Sequence, residues 1–299
     1  MLDDLDRQAG QTAVPGARAV GFAWDRADGS TRTWWPQGLT TSADAAAAPG
    51  SDLGGRRVLL CGWYAKRRGG GHAATRVSVV DVTDLQAPRY AHVQLLDAGL
   101  EPVRVHAGGL AWCGDLLLVA DTRRGIRVFD LCTVFRSADG GFRLSQCGSW
   151  TPDQAQPTPP LRWSFLSVDR TAPGELSLVA GEYNRYGSGA RLARWALDPD
   201  TCLPRTTAPD EVIRTDITSM QGVVRVDGTY VVSASHGRIR RGHLWTGRPG
   251  GQWVKHAGAL PVGPEDLAYD PETQRLWTLT EHPGQRYVLS LALPHHPVD

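Results

Sequence analysis

One pattern recurs along the chain: a polar or small residue opens an apolar strand, a tight turn leads into an alternating strand, and a third strand follows a polar loop. Such a short unit cannot bury its apolar face alone and must stack against copies of itself, so the repeat constrains the fold more than composition does. The clearest copy runs HAGGLAW (106–112), LLLVADT (116–122), GIRVFDL (125–131) and FRLSQCGSW (142–150). A second reads QGLTTS (37–42), RRVLLCGWYA (56–65), TRVSVVDV (75–82) and RYAHVQLLD (89–97), with the soft insertion ADAAAAPGSDLGG in its first turn. SFLSVD (164–169), ELSLVAGEY (175–183), ARLARWALD (190–198) and EVIRTDI (211–217) make another. MQGVVRV (220–226), TYVVSASHG (229–237), HLWTG (243–247) and QWVKHAGAL (252–260) follow; Asp227-Gly228 between its first two runs is a strong hairpin signal.

The last copy has only three strands: EDLAYD (265–270), QRLWTLTE (274–281) and RYVLSLAL (286–293). An orphan strand, ARAVGFAWD (17–25), precedes the first copy and supplies the fourth. The expected fold is therefore all-β: a single β-propeller domain over residues 1–299, of five four-stranded blades. The blades cover about 36–97, 106–150, 164–217, 220–260 and 264–293, with the N-terminal strand closing the last. A six-bladed ring would require an irregular unit hidden in 137–163. No segment sustains a helical period.

A composition of 41% hydrophobic and 21% charged residues suffices for a core. The net charge of +1 gives no electrostatic case for nucleic acid or an anionic membrane. The basic runs Lys66-Arg67-Arg68 and Arg238-Ile239-Arg240-Arg241 read as solvated loop charge. No apolar stretch approaches the ~20 residues that span a bilayer. The expected partner is a small molecule, with no nucleic acid, no membrane and a monomeric state. The polar start MLDDLDRQAG does not read as a signal peptide, which leaves a cytoplasmic and a secreted protein both open. Cys61 and Cys113 sit in apolar strands and read as small buried hydrophobes, whereas Cys132 and Cys147 flank one hairpin and could pair outside the cytosol.

In a propeller the starts of the inner strands, and the loops joining second to third strands, converge on one funnel mouth, where ligand sites belong. The inner-strand starts are Gln37, His106, Ser164, Gln221 and Glu265, with Asp266 next. The loops add Trp63, Tyr64 and Lys66; Asp121, Thr122 and Arg123; Glu182, Tyr183, Asn184 and Arg185; Ser235 and His236; Glu281 and His282. The opposite face is mostly turn material. Glu265, Glu281 and Glu182 are candidate acids or bases, and His106, His236 and His282 candidate proton carriers. Gln37, Gln221, Trp63, Tyr64, Tyr183, Asp121 and Arg123 are candidate substrate-binding groups. These side chains could instead hydrogen-bond the backbone where blades meet. No cofactor is required; a divalent metal held by Glu182, Glu265, Asp121 and Glu281, or by the histidines, is the one cofactor that convergence would allow. Ser164 and Ser235 lack a G-x-S-x-G context. Of the 11 Trp, Trp112, Trp195, Trp245 and Trp277 fit blade packing, while Trp34, Trp35, Trp63 and Trp163 fall near the mouth. The five mouth positions differ from blade to blade. That argues for one asymmetric site, as in an enzyme (hydrolase, lyase, isomerase or cyclase), rather than the repeated sites of a carbohydrate- or protein-binding propeller.

HAGGLAWCGDLLLVADTRRGIRVFDL and PEDLAYDPETQRLWTLTEHPG resemble blades of exported bacterial β-propellers of actinobacterial type, and more loosely those of gluconolactonase-like enzymes. The latter resemblance implies a Glu, Asn and Asp set around a divalent metal. Only Glu265 stands at a comparable strand start; Gln37, His106, Ser164 and Gln221 depart from the pattern. Gln37 likewise departs from the carboxylate that five-bladed glycosidases carry on blade one. No catalytic role carries over to this chain.

Overall fold

The computed structural model describes residues 1–13, 19–45, 53–67, 69–153, 159–171, 174–186 and 189–294. Residues 17–18 of the expected N-terminal strand, most of the ADAAAAPGSDLGG insertion, Arg68 and part of 137–163 lie outside the described residues. Near the N-terminus are β1 (Arg7–Gln8), β2 (Gly10–Ala13), β3 (Ala19–Ala23) and a one-turn helix α1 (Arg26–Ser30). The first group holds β4 (Trp34–Thr41), the short helix α2 (Ser42–Ala45), β5 (Val58–Lys66), β6 (His72–Asp81) and β7 (Arg89–Leu96). The second holds β8 (Leu110–Cys113), β9 (Leu116–Asp121), β10 (Gly125–Asp130), β11 (Phe135–Arg136) and β12 (Phe142–Trp150). The third is β13 (Phe165–Asp169), β14 (Ser177–Gly181), β15 (Ala190–Ala196) and β16 (Glu211–Thr215). The fourth is β17 (Met220–Val226), β18 (Thr229–Ala234), β19 (His243–Gly247) and β20 (Val254–His256), and the last β21 (Pro264–Asp270), β22 (Arg275–Thr280) and β23 (Tyr287–Ala292).

Each group is an antiparallel meander running outward from its first strand. β3 pairs antiparallel with β23, and β2 adds a further strand outside β3. The inner strands β4, β8, β13, β17 and β21 pack side by side, and β21 returns to β4, so the ring is closed. The chain is a β-propeller. One pairing departs from simple radial packing: β7 and β12, the outer strands of the first two groups, join in parallel register (Phe142 opposite Val93), which bends both sheets into one nearly closed barrel.

The inner and second strands are buried on both sides, which is why β9, β13, β14 and β18 read as continuous apolar runs, whereas the outer β16 alternates. Aromatic rings fill three of the spaces between sheets: Trp163 stacked on Trp195 with Trp150 edge-on, Phe165 with Tyr230, and Trp24 with Trp63 and Tyr90. At the centre, glycine is obligatory. A Cβ on Gly109 would stand 2.1 Å from the Leu166 nitrogen, and one on Gly222 2.5 Å from the Leu267 nitrogen.

Two devices fasten the ends of the structure. Buried Asp28, in α1, accepts hydrogen bonds from Arg7, Arg76, Tyr90 (2.8 Å) and His92 Nε2 (2.8 Å), and these partners hold its carboxyl far below the usual range despite burial. The ionised Asp28 carboxylate can only accept, so His92 carries a proton on Nε2; its Nδ1 faces Ser78 Oγ (2.9 Å), which accepts the Trp63 indole N–H (2.8 Å). Burial lowers the His92 pKa, consistent with a neutral ring. The second device is a disulfide between Cys113 and Cys202, tying β8 to the turn after β15. This corrects the reading of Cys113 as a simple buried hydrophobe; Cys132 and Cys147 are free thiols.

Candidate functional site

Three of the five inner strands are irregular at the position where they meet the mouth. Pairing slips between Pro36 and Leu39 in β4, between Met220 and Gly222 in β17, and between Pro264 and Leu267 in β21. A bulge inserts a residue and re-aims the side chains beside it. The residues so placed are Gln37, Gln221, and the pair Glu265 and Asp266. Gln37, Gln221 and Glu265, with Tyr64 from β5, His106, Thr122, Arg162, Ser164, Tyr183 and Glu281, line one cavity of about 290 Å³.

The two carboxylates of this cavity sit in different surroundings. Glu265 is 3% exposed; burial pushes its pKa well above the ordinary value, and the charges of Glu281 and Asp266 push it further. The Gln221 amide donates to Glu265 Oε1 (3.2 Å). Glu281, following β22, is partly open to solvent; it accepts the Gln37 amide (3.3 Å) and lies 3.4 Å from His282 Nδ1. Its charge acts on Lys66 and on buried Arg286, whose pKa burial lowers to about 10 against the opposing pull of Glu281. One acid is thus shifted toward its neutral form while its neighbour lies near Lys66 and Arg286.

His106 has a different character from that expected. Burial, helped by His72, lowers its pKa to about 4, so it is a neutral imidazole over the physiological range. Its ring and that of His72 both lie edge-to-face against Tyr64. Tyr64 itself is shifted upward by burial and then by Glu281 and Glu265, so it remains a phenol. Both are hydrogen-bonding groups rather than charge carriers. Asp266, fully buried behind Glu265, accepts the Leu39 and Leu110 N–H groups (3.0 and 3.4 Å) on Oδ2, while Oδ1 has no hydrogen-bond partner. Burial raises its pKa well above the ordinary value.

Several expected site residues stand elsewhere. Trp63 is wholly buried between the first and last groups: β5 extends through Lys66, so alternation turns Tyr64 to the cavity and Trp63 away from it. Trp163 is likewise core. Glu182 is held by Arg191 in a two-pronged pair (2.6 and 2.8 Å) and accepts the Arg162 and Arg191 N–H groups, so it is spent on structure. Asp121 pairs with Arg127 (3.0 Å), Arg123 is exposed, and His236 is exposed beside His243. His282 stands behind Glu281 rather than on the cavity wall, against Gly263. Arg162 lines the cavity although its position, three residues ahead of β13, gave no sequence signal. Among the described residues no group of three His, Cys, Asp or Glu side chains converges as metal ligands would, and no step below is routed through a metal. Nor, among those residues, is any helix long and apolar enough to cross a membrane.

No protein-family description and no curated protein matches the chain. Among solved structures, similarity extends to the glutaminyl cyclase of Myxococcus xanthus, at 11% identity over 88% of this chain and 94% of that one, with a TM-score of 0.43. A GH43_1 enzyme from Xanthomonas citri complexed with xylotriose matches at 13% identity, 94% and 91% coverage and a TM-score of 0.44. The Dos1 propeller matches at 10%, 92% and 67%, with a TM-score of 0.38. Likenesses this distant carry no functional argument; the propeller class rests on the chain's own strand pairing.

Proposed function

We propose that this protein is a five-bladed propeller enzyme that acts on a small polar molecule in the cavity of Gln37, Tyr64, His106, Tyr183, Gln221, Glu265 and Glu281. The reading rests on one observation: two glutamates share the cavity, one buried and driven to its neutral form, the other beside cations. Glu265 gives a proton to the substrate and Glu281 takes one, in a hydrolysis, elimination, isomerisation or cyclisation. Gln37 and Gln221 hold the two carboxyl groups through their amides. His106 and Tyr64 present neutral donors and acceptors. The Cys113–Cys202 disulfide favours an oxidising compartment, hence an exported protein.

The test is turnover of a panel of aryl glycosides, lactones, acyl amides and N-terminal glutaminyl peptides by wild type, Glu265→Gln and Glu281→Gln. Loss of general acid–base catalysis costs about 10²–10⁴-fold in rate. Each variant is expected to fall by that much on whichever substrate the wild type turns over, with its melting temperature at least retained. Undiminished turnover in both variants would refute the assignment; saturable binding of a panel member without turnover would make the propeller a binding module.

A further inference from the structure

The barrel formed by the first two sheets holds a second, half-open cavity, remote in character from the polar one. It measures about 390 Å³, and six strands contribute aliphatic or aromatic wall: Leu60 of β5, Val79 of β6, Val93 of β7, Leu144 of β12, Leu117 of β9 and Trp112 of β8. Protein interiors are close-packed, and voids larger than a water molecule are few. The interfaces filled by Trp163 and Trp195, or by Trp24 and Trp63, obey that rule. Here the walls are mainly valines and leucines, and the continuous pairing from β4 through β7 and β12 to β8 holds them apart. An apolar cavity of about 150 Å³ stays dry and takes up benzene; this one is more than twice that size.

The polar atoms on the wall are already engaged. Ser42 Oγ accepts the Val58 N–H (3.1 Å), and the Trp112 indole donates to the Gly114 carbonyl (2.9 Å). The charged residues on the lining are Met1, whose ammonium is paired with Asp4 (3.5 Å), and Asp115, exposed at the edge next to Cys132, whose thiol the Asp115 charge and hydrogen bond shift upward after burial. A hydrocarbon body is therefore accepted on shape alone, and an anionic head would meet Asp115.

We propose that this cavity is a binding site for an uncharged, largely hydrocarbon small molecule, of the size of a medium-chain alcohol, with its polar end at Asp115. The site is independent of the acid–base reading of the funnel. N-phenyl-1-naphthylamine, a neutral fluorescent probe, tests it on the full chain. Wild type is expected to bind the probe saturably, one per chain, and to release it to 1-decanol at concentrations about tenfold lower than to decanoate, a difference of about 1.4 kcal/mol. Val79→Phe and Val93→Phe each fill the cavity from a different strand and are expected to weaken probe binding by at least about tenfold; either one that unfolds as cooperatively as wild type suffices. Non-saturable binding by wild type, or unchanged affinity in a folded filled variant, would overturn the site. Displacement by decanoate as readily as by decanol would overturn the uncharged ligand.

Discussion

At the scale of single residues, the molecule is governed by buried acids. Glu265 and Asp266 are adjacent, buried, and both displaced toward the protonated form. For an acid whose pKa is higher folded than unfolded, the stability contribution is whole below the unfolded value and lost as pH rises through the folded one. Stability should therefore fall as pH rises above the ordinary carboxylate range on account of these two groups. Glu265→Gln and Asp266→Asn, which cannot ionise, should melt above wild type at pH 8 and converge with it near pH 4; thermal scans across pH check this, and parallel curves would contradict it. Of the residues expected at the mouth, Gln37, Tyr64, His106, Tyr183, Gln221, Glu265 and Glu281 do share one cavity. The sequence could not separate Tyr64 from Trp63, because both are aromatic and adjacent, and only the face that β5 turns to the ring decides which one points into the cavity. Nor could it show that Glu182 has an arginine partner nine residues on, since ion pairing across a hairpin depends on its register.

At the scale of elements, close approach and cross-linking do the positioning. β8 enters the ring through Gly108 and Gly109, and the second of these touches the backbone of β13. Gly109→Ala must push two backbones apart, and overpacking of this kind costs about 1–3 kcal/mol or more; a drop in melting temperature with loss of the polar cavity's function is the expected result. The disulfide lies in the same quarter of the molecule. Cys202→Ser should destabilise by about 2–5 kcal/mol, and alkylation of the unreduced protein followed by mass analysis should modify Cys132 and Cys147 but spare Cys113. The meanders and the Asp227-Gly228 hairpin were legible because local pattern and turn chemistry fix them. The 113–202 pair and the parallel joining of β7 to β12 were not, since both are long-range and leave no periodic trace.

At the scale of the whole molecule, closing the ring brings five unlike strand starts to one opening, and the bulges in β4, β17 and β21 turn their polar residues into it. The same closure creates a dry setting in which a carboxyl can stay neutral next to a charged one. The repeat in the sequence made the convergence readable, but the depth at which each residue sits depends on how the sheets tilt and join, which is a property of the assembled ring. The proposed chemistry requires Glu265 to be a protonated acid at neutral pH. Infrared difference spectroscopy of wild type against Glu265→Gln at pH 7, with carboxyl groups isotopically labelled, tests it most directly. The variant should lose one protonated-carboxyl carbonyl band and retain the one from Asp266; loss of a carboxylate band instead would show that Glu265 is ionised.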